Sequence, residues 1–101
     1  MHDEVAVSVR GIALLPDRQM HKGAEFLLRL ANKEAKLLRY LMLNRGSVKS
    51  LEDIFKVVFP DKEYSRTLVG TIVHRIRTKT KPILGEPFIH TVPGGRGYIV
   101  Y

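Results

Sequence analysis

The sequence predicts a single α+β domain in which an N-terminal antiparallel sheet precedes a three-helix core and a C-terminal β-hairpin. Its hydrophobic period changes twice. Apolar residues come in short alternating bursts up to residue 30, fall on helical stripes from residue 33 to about 81, and alternate again over 88–101. The composition agrees, because 101 residues with 45% hydrophobic and 27% charged side chains suffice for one core and are too apolar for a disordered tail. No internal repeat, linker or low-complexity stretch divides the chain, so residues 1–101 are read as one domain.

Residues 4–30 read as three or four short strands. Val5, Val7 and Val9 share one side of an extended segment, Ile12 to Leu15 follows Gly11, and Pro16-Asp17 marks a turn. Gln19 to Lys22 leads to Gly23, and Phe26-Leu27-Leu28-Arg29-Leu30 is again strand-like. A first helix is predicted over 33–44, with Asn32 as N-cap, Glu34 in its first turn and Ala35, Leu38, Leu41 and Met42 on one stripe widened by Leu37 and Leu43. Gly46 provides its stop. A second helix over 51–59 begins after Ser50, with Asp53 completing an approximate capping box and Leu51, Ile54, Phe55, Val57 and Val58 forming the buried face before Pro60. A third helix over 66–81 places Val69, Ile72, Val73 and Ile76 at i, i+3, i+4 and i+7, with Pro82 as its boundary.

Opposite that last stripe stand Thr67, Thr71, His74 and Thr78, flanked by Gly70, Arg75 and Lys81. Five Lys or Arg residues and no acid lie between Ser65 and Lys81, and Arg96 sits alone at the tip of the hairpin over 88–101. The net charge of +7 is concentrated here: residues 64–101 carry six basic side chains and one acidic, residues 1–63 eleven and nine. A solvated surface normally mixes its charges, whereas a single-sign face of short donors and cations suits a phosphate array. Arg66, Thr67, Thr71, His74, Arg75, Arg77, Thr78, Lys79, Lys81 and Arg96 are therefore candidate contacts to a polyanion.

Other classes find little support. The four histidines, His2, His21, His74 and His90, lack metal-ligand spacing, and no Ser-His-acid set, phosphate loop or carboxylate pair appears, so neither catalysis nor a metal or cofactor is expected. The chain has no cysteine and no apolar run near the roughly 18 residues that span a bilayer, and its first residues are acidic where a signal peptide is basic. The expectation is a cytoplasmic protein without membrane association.

Strands, helix, helix, basic helix and terminal hairpin is the layout of a winged helix-turn-helix, and the chain resembles the DNA-binding effector domain of the OmpR/PhoB family of bacterial response regulators. Three blocks carry the resemblance: Leu30 to Leu41, similar to the family's Leu-Thr-x-x-Glu start of the first helix; Gly46 to Ile54, similar to its loop and second-helix start; and Val69 to Lys79 with Ile89-His90-Thr91-Val92 and Gly97-Tyr98, similar to its recognition helix and wing. The resemblance implies a four-stranded N-terminal sheet, a third helix in the major groove, a wing at the minor groove, and binding as a monomer or a head-to-tail dimer on tandem half-sites of double-stranded DNA. It places Arg75 on the base-contacting arginine, His74 on the basic residue before it, and Arg77 on an arginine that meets phosphate or supports the structure. Thr91 and Ser50 fall on backbone-contacting hydroxyls. The loop Pro60 to Tyr64, with Asp61, Lys62, Glu63 and Tyr64, matches one that touches RNA polymerase in the family.

The chain also departs from the family pattern. Leu51 stands where an arginine is usual, Ile72 where a polar contact is usual, and the wing is one residue longer, with its arginine moved to the far side of the turn. Relatives carry a receiver domain with a phosphorylatable aspartate. None fits before residue 1, so the reading is an excised effector domain or a free-standing regulator, with excision favoured. The alternative function is a winged helix that uses its basic face on an acidic protein partner.

Overall fold

A computed structural model of the chain describes residues 5–101. Strands β1 (Val7–Val9), β2 (Ile12–Leu14), β3 (Gln19–Lys22) and β4 (Glu25–Arg29) form an antiparallel sheet in sequence order. Helices α1 (Asn32–Leu43), α2 (Leu51–Val58) and α3 (Arg66–Leu84) follow, and β5 (His90–Val92) and β6 (Gly97–Ile99) close the chain as a hairpin. Residue 4, the expected start of the strand region, lies outside the described residues. Val5 precedes β1 and is exposed, so of the Val5, Val7, Val9 alternation Val9 is buried in the core and Val7 packs, partly buried, against it.

One continuous core joins the layers. Val9, Ile12, Leu14 and Met20 of the sheet meet Leu37, Leu38, Leu41 and Met42 of α1, Ile54, Phe55 and Val58 of α2, and Val69, Ile72, Val73 and Ile76 of α3. Phe88, Ile89 and Val100 bring both ends of the hairpin into the same cluster. The α1–sheet junction also has a polar fastening. Arg39, 8% exposed, donates from Nη1 to the Val5 carbonyl and from Nη2 to the Leu15 carbonyl at 2.9 Å, so a buried guanidinium is satisfied by backbone oxygens.

Several boundaries differ from the sequence reading. The N-cap of α1 is Ala31, not Asn32; with no side-chain acceptor at that position, the Glu34 carboxylate supplies the polar contact by accepting the Ala31 N–H at 2.9 Å. Leu43, placed on the buried stripe, is 59% exposed because the helix ends there, and Val57 of α2 is likewise turned outward. Helix α2 ends at Val58, with Phe59 as its cap, and the Ser50 Oγ accepts the Asp53 N–H at 3.0 Å as expected.

Helix α3 runs to Leu84, past the Pro82 that was to stop it at Lys81. Proline removes one backbone donor, the one that would serve the Thr78 carbonyl, but later residues can still bond backwards. The Gly85 N–H reaches the Lys81 carbonyl at 2.8 Å, and Gly85 takes φ +79°, a left-handed cap that a side chain would resist. At 1.5 Å per residue the helix is about 28 Å long.

Candidate nucleic-acid interface

The buried stripe of α3 fixes which side faces out. Arg66, Thr67, His74, Arg75, Thr78 and Lys81 are exposed, while Gly70 and Thr71 are half-buried. Thr71 donates its hydroxyl proton to the Thr67 carbonyl at 2.9 Å, which leaves its methyl and oxygen lone pairs outward. Among the described residues no carboxylate pairs with Arg66, Arg75, Lys81 or Arg96. The face therefore presents hydroxyls, an imidazole and unneutralised cations, groups that donate to phosphate oxygens and to the acceptors on guanine.

The two remaining cations of α3 are engaged within the domain. Arg77 donates from Nη2 to the Ile89 carbonyl at 2.9 Å and to the Thr91 Oγ1 at 2.8 Å, and its guanidinium lies 5.5 Å from the Tyr98 ring centroid. It clamps the root of the hairpin to the helix. Lys79 turns the other way, its Nζ 2.7 Å from Glu34 Oε1. That carboxylate is 3% exposed and already accepts the Ala31 N–H, so Lys79 ties α3 to the start of α1.

The hairpin is fastened on its other side as well. Its register pairs His90 with Ile99, Thr91 with Tyr98 and Val92 with Gly97. Tyr98 also exchanges both backbone hydrogen bonds with Lys49, at 2.9 and 3.1 Å, so the segment leading into α2 acts as a third short strand. The close approach requires Gly97, which has φ +132°; a Cβ there would overlap the Lys49 carbonyl oxygen and come within 3.1 Å of the Ser50 Cα. Only Pro93 to Arg96 projects freely, with Arg96 exposed.

Two hollows flank α3. Near its start, Ser50, Leu51 and Glu52, together with Tyr64, Arg66, Gly94 and Gly95, surround about 400 Å³, so the wing tip, the α2 N-terminus and Arg66 converge. Near its end, a cleft of about 810 Å³ lies between α3 and the segment from Gly85 to Thr91. Asp61, Lys62 and Glu63 are exposed in the loop after α2, while the half-exposed Tyr64 sets its ring edge-on to Phe55 at 5.5 Å, and the Lys62 Nζ lies 5.7 Å from the Phe59 centroid.

The structure thus brings Ser50, Arg66 and the wing tip together at one end of α3, and His74, Thr78, Lys81 and Thr91 at the other. Arg75 and Thr67 stand exposed on the helix, and Arg77 and Lys79 point into the domain. Sequence reasoning missed the pairing role of Lys49, and it did not foresee that His90, the first residue of β5, and Pro82, expected only as a stop signal, both line the cleft. Among the described residues no group of His, Asp and Glu could hold a metal ion, and no helix is long and apolar enough to cross a membrane.

Comparison with known proteins matches this architecture. The family model described as "Transcriptional regulatory protein, C terminal" matches residues 23–100. The DNA-binding domain of E. coli CadC superposes with a TM-score of 0.82 at 22% identity, over 99% of this chain and 94% of that one. The C-terminal domain of the nisin resistance regulator NsrR gives 0.78 at 24%, over 93% and 94%. The Klebsiella pneumoniae RstA DNA-binding domain, solved in complex with the RstA box, gives 0.74 at 22%, over 96% and 97%. At these identities the likeness establishes the fold, and among curated proteins no match was found. With four strands, three helices and a wing in the family's order, and the family model spanning most of its length, the chain belongs to the C-terminal domains of transcriptional regulatory proteins, the winged-helix effector domains of OmpR/PhoB type.

Proposed function

We infer that this domain reads double-stranded DNA in a sequence-specific manner for a bacterial transcription regulator, with α3 in the major groove and the wing at the adjacent minor groove. One observation carries the reading: α3 turns an acid-free face of hydroxyls and cations outward while the wing is clamped beside it at fixed distance. A duplex needs such a pair of probes, because one element must choose bases while others grip the backbone. The solved RstA complex, a protein of the same fold bound to its box, supports the same assignment.

Arg75 is the principal base reader, long enough for bidentate contact with guanine. Thr67, Thr71, His74 and Thr78 line the groove around it, and Arg66, Ser50 and Thr91 meet phosphates, with Arg96 at the minor groove. Arg77 sets the wing and Lys79 sets the helix, each through contacts within the domain. Two copies occupy tandem half-sites head to tail, and Asp61 to Tyr64 forms the surface offered to RNA polymerase.

Selection from random duplexes by the purified chain at stated salt tests the reading. A recovered half-site, with a log–log salt slope near about −5 for five or six phosphate contacts, is the expected result. Arg75→Ala should cost about 1–3 kcal/mol on that site and relax one base pair. Negligible duplex affinity even at low salt would overturn the reading in favour of an acidic protein partner.

A further inference from the structure

Seven of the eight glycines have positive φ, and their reason for being glycine is the backbone they adopt. Gly70 is the exception. It lies inside α3 and its φ is not positive, so the backbone there suits any residue, and glycine weakens a helix relative to alanine. Packing does not ask for it either: a Cβ built at residue 70 meets no atom within 4 Å among the described residues. The missing side chain therefore has no reason inside the domain, which leaves whatever lies against the outward face of α3.

Residue 70 is three positions after Thr67 and beside Thr71, so the three share one patch of that face, with Arg66 and His74 one turn to either side. Thr71 is held in place. Its hydroxyl donates to the Thr67 carbonyl at 2.9 Å, which turns its methyl outward. The N–H and C=O of Gly70 belong to a continuous helix that uses both. Over Gly70 there remains a shallow gap floored by its Cα and bordered by the Thr71 methyl, a surface of C–H groups.

That surface selects among the groups a duplex offers. Base edges in the major groove carry hydrogen-bond donors, acceptors and one apolar group, the C5 methyl of thymine. A donor or acceptor laid on C–H groups loses its water and gains no partner, whereas a methyl gains by leaving water. We propose that Gly70 is a specificity-determining residue: the gap it leaves, bordered by the Thr71 methyl, receives the C5 methyl of one thymine and makes α3 prefer thymine at that position. The proposal rests on the DNA-binding reading above and complements Arg75, whose guanidinium suits guanine. A side chain at residue 70 would occupy the space of the methyl and hold the helix away from the base.

The half-site recovered by selection is assayed with the full chain by fluorescence anisotropy. Each thymine is replaced in turn by deoxyuridine, which removes the methyl and keeps the hydrogen-bonding edge. At one thymine the affinity should fall about fourfold, the worth of one buried methyl group, and at the others by less than about twofold. Gly70→Ala should raise the urea midpoint, since alanine favours the helix, and yet weaken binding to the thymine site by about tenfold or more through overpacking. On the deoxyuridine site the same substitution should weaken binding less, because the group its Cβ meets is gone. Thr71→Ser keeps the hydroxyl, removes the methyl, and should reduce the deoxyuridine effect to below about twofold. Duplex affinity unchanged by Gly70→Ala overturns the proposal, as does a half-site in which no thymine responds to deoxyuridine, or a response that survives both substitutions. A lowered urea midpoint for Gly70→Ala also overturns it, by giving the glycine a reason inside the fold. A wild-type chain that binds no duplex even at low salt defeats the DNA reading and the proposal with it; in every other outcome the wild type still binds, so the two failures are told apart.

Discussion

Gly97→Ala should unfasten the wing from the body of the domain. Alanine would have to adopt φ +132°, a region that costs side-chain-bearing residues on the order of 1–3 kcal/mol, and its Cβ would overlap the Lys49 carbonyl oxygen. That oxygen is backbone and cannot swing aside, so the segment at Lys49 must move and the two Lys49–Tyr98 hydrogen bonds at 2.9 and 3.1 Å are lost or stretched. At roughly 1 kcal/mol each, the two bonds together with the backbone strain come to about 3–5 kcal/mol, a large part of the roughly 5–15 kcal/mol typical of a domain. Urea unfolding followed by circular dichroism measures the loss, and hydrogen exchange at the Tyr98 amide localises it. A change below about 0.5 kcal/mol, or an unaltered Tyr98 exchange rate, would show that the pairing with Lys49 does not hold the wing.

Lys79→Met should lower stability by roughly 1–2 kcal/mol, less than for a fully buried pair because the lysine side chain is 43% exposed. It should leave the salt slope of DNA binding unchanged; a slope reduced by about 0.9 would instead make Lys79 a phosphate contact. Arg96→Ala should weaken binding most where A·T-rich sequence flanks the half-site, since a narrow minor groove attracts arginine, and equal losses on G·C-rich flanks would count against that role. Burial, and then the charge of Asp53, raises the Tyr40 pKa above its usual 10.0. The associated stability is complete below the unfolded value and is lost as pH rises through the folded one, so Tyr40→Phe should flatten the alkaline limb of a pH–stability curve.

Much of this architecture is legible in the sequence because it rests on period. The Val69, Ile72, Val73, Ile76 stripe is buried in full and fixes the outward face of α3, and Ser50 caps α2 as its position predicts. Period does not reveal how elements meet. Helix phase sets Arg75 and Lys81, which flank the outward face, apart from Arg77 and Lys79, but it does not reveal the partners of those two, Ile89, Thr91 and Glu34, which lie 12 to 45 residues away. Pro82 misleads for a local reason. A proline forbids one hydrogen bond, and a last turn capped by Gly85 can do without it. Arg39 is silent in the sequence because its partners are backbone carbonyls, which any residue could supply.

The zipper between Lys49 and Tyr98 has a consequence for how such a domain can change over time. It divides the hairpin at Gly97 into an inner part whose geometry is shared with two helices and an outer part, Pro93 to Arg96, answerable only to what it touches. Residues can be added, removed or exchanged in that outer part without disturbing the register of the strands behind it. The extra residue and the displaced arginine of this chain lie on that outer side. The tip behaves as an interchangeable fitting, and a new flank preference can arise there while the frame that aims it stays the same.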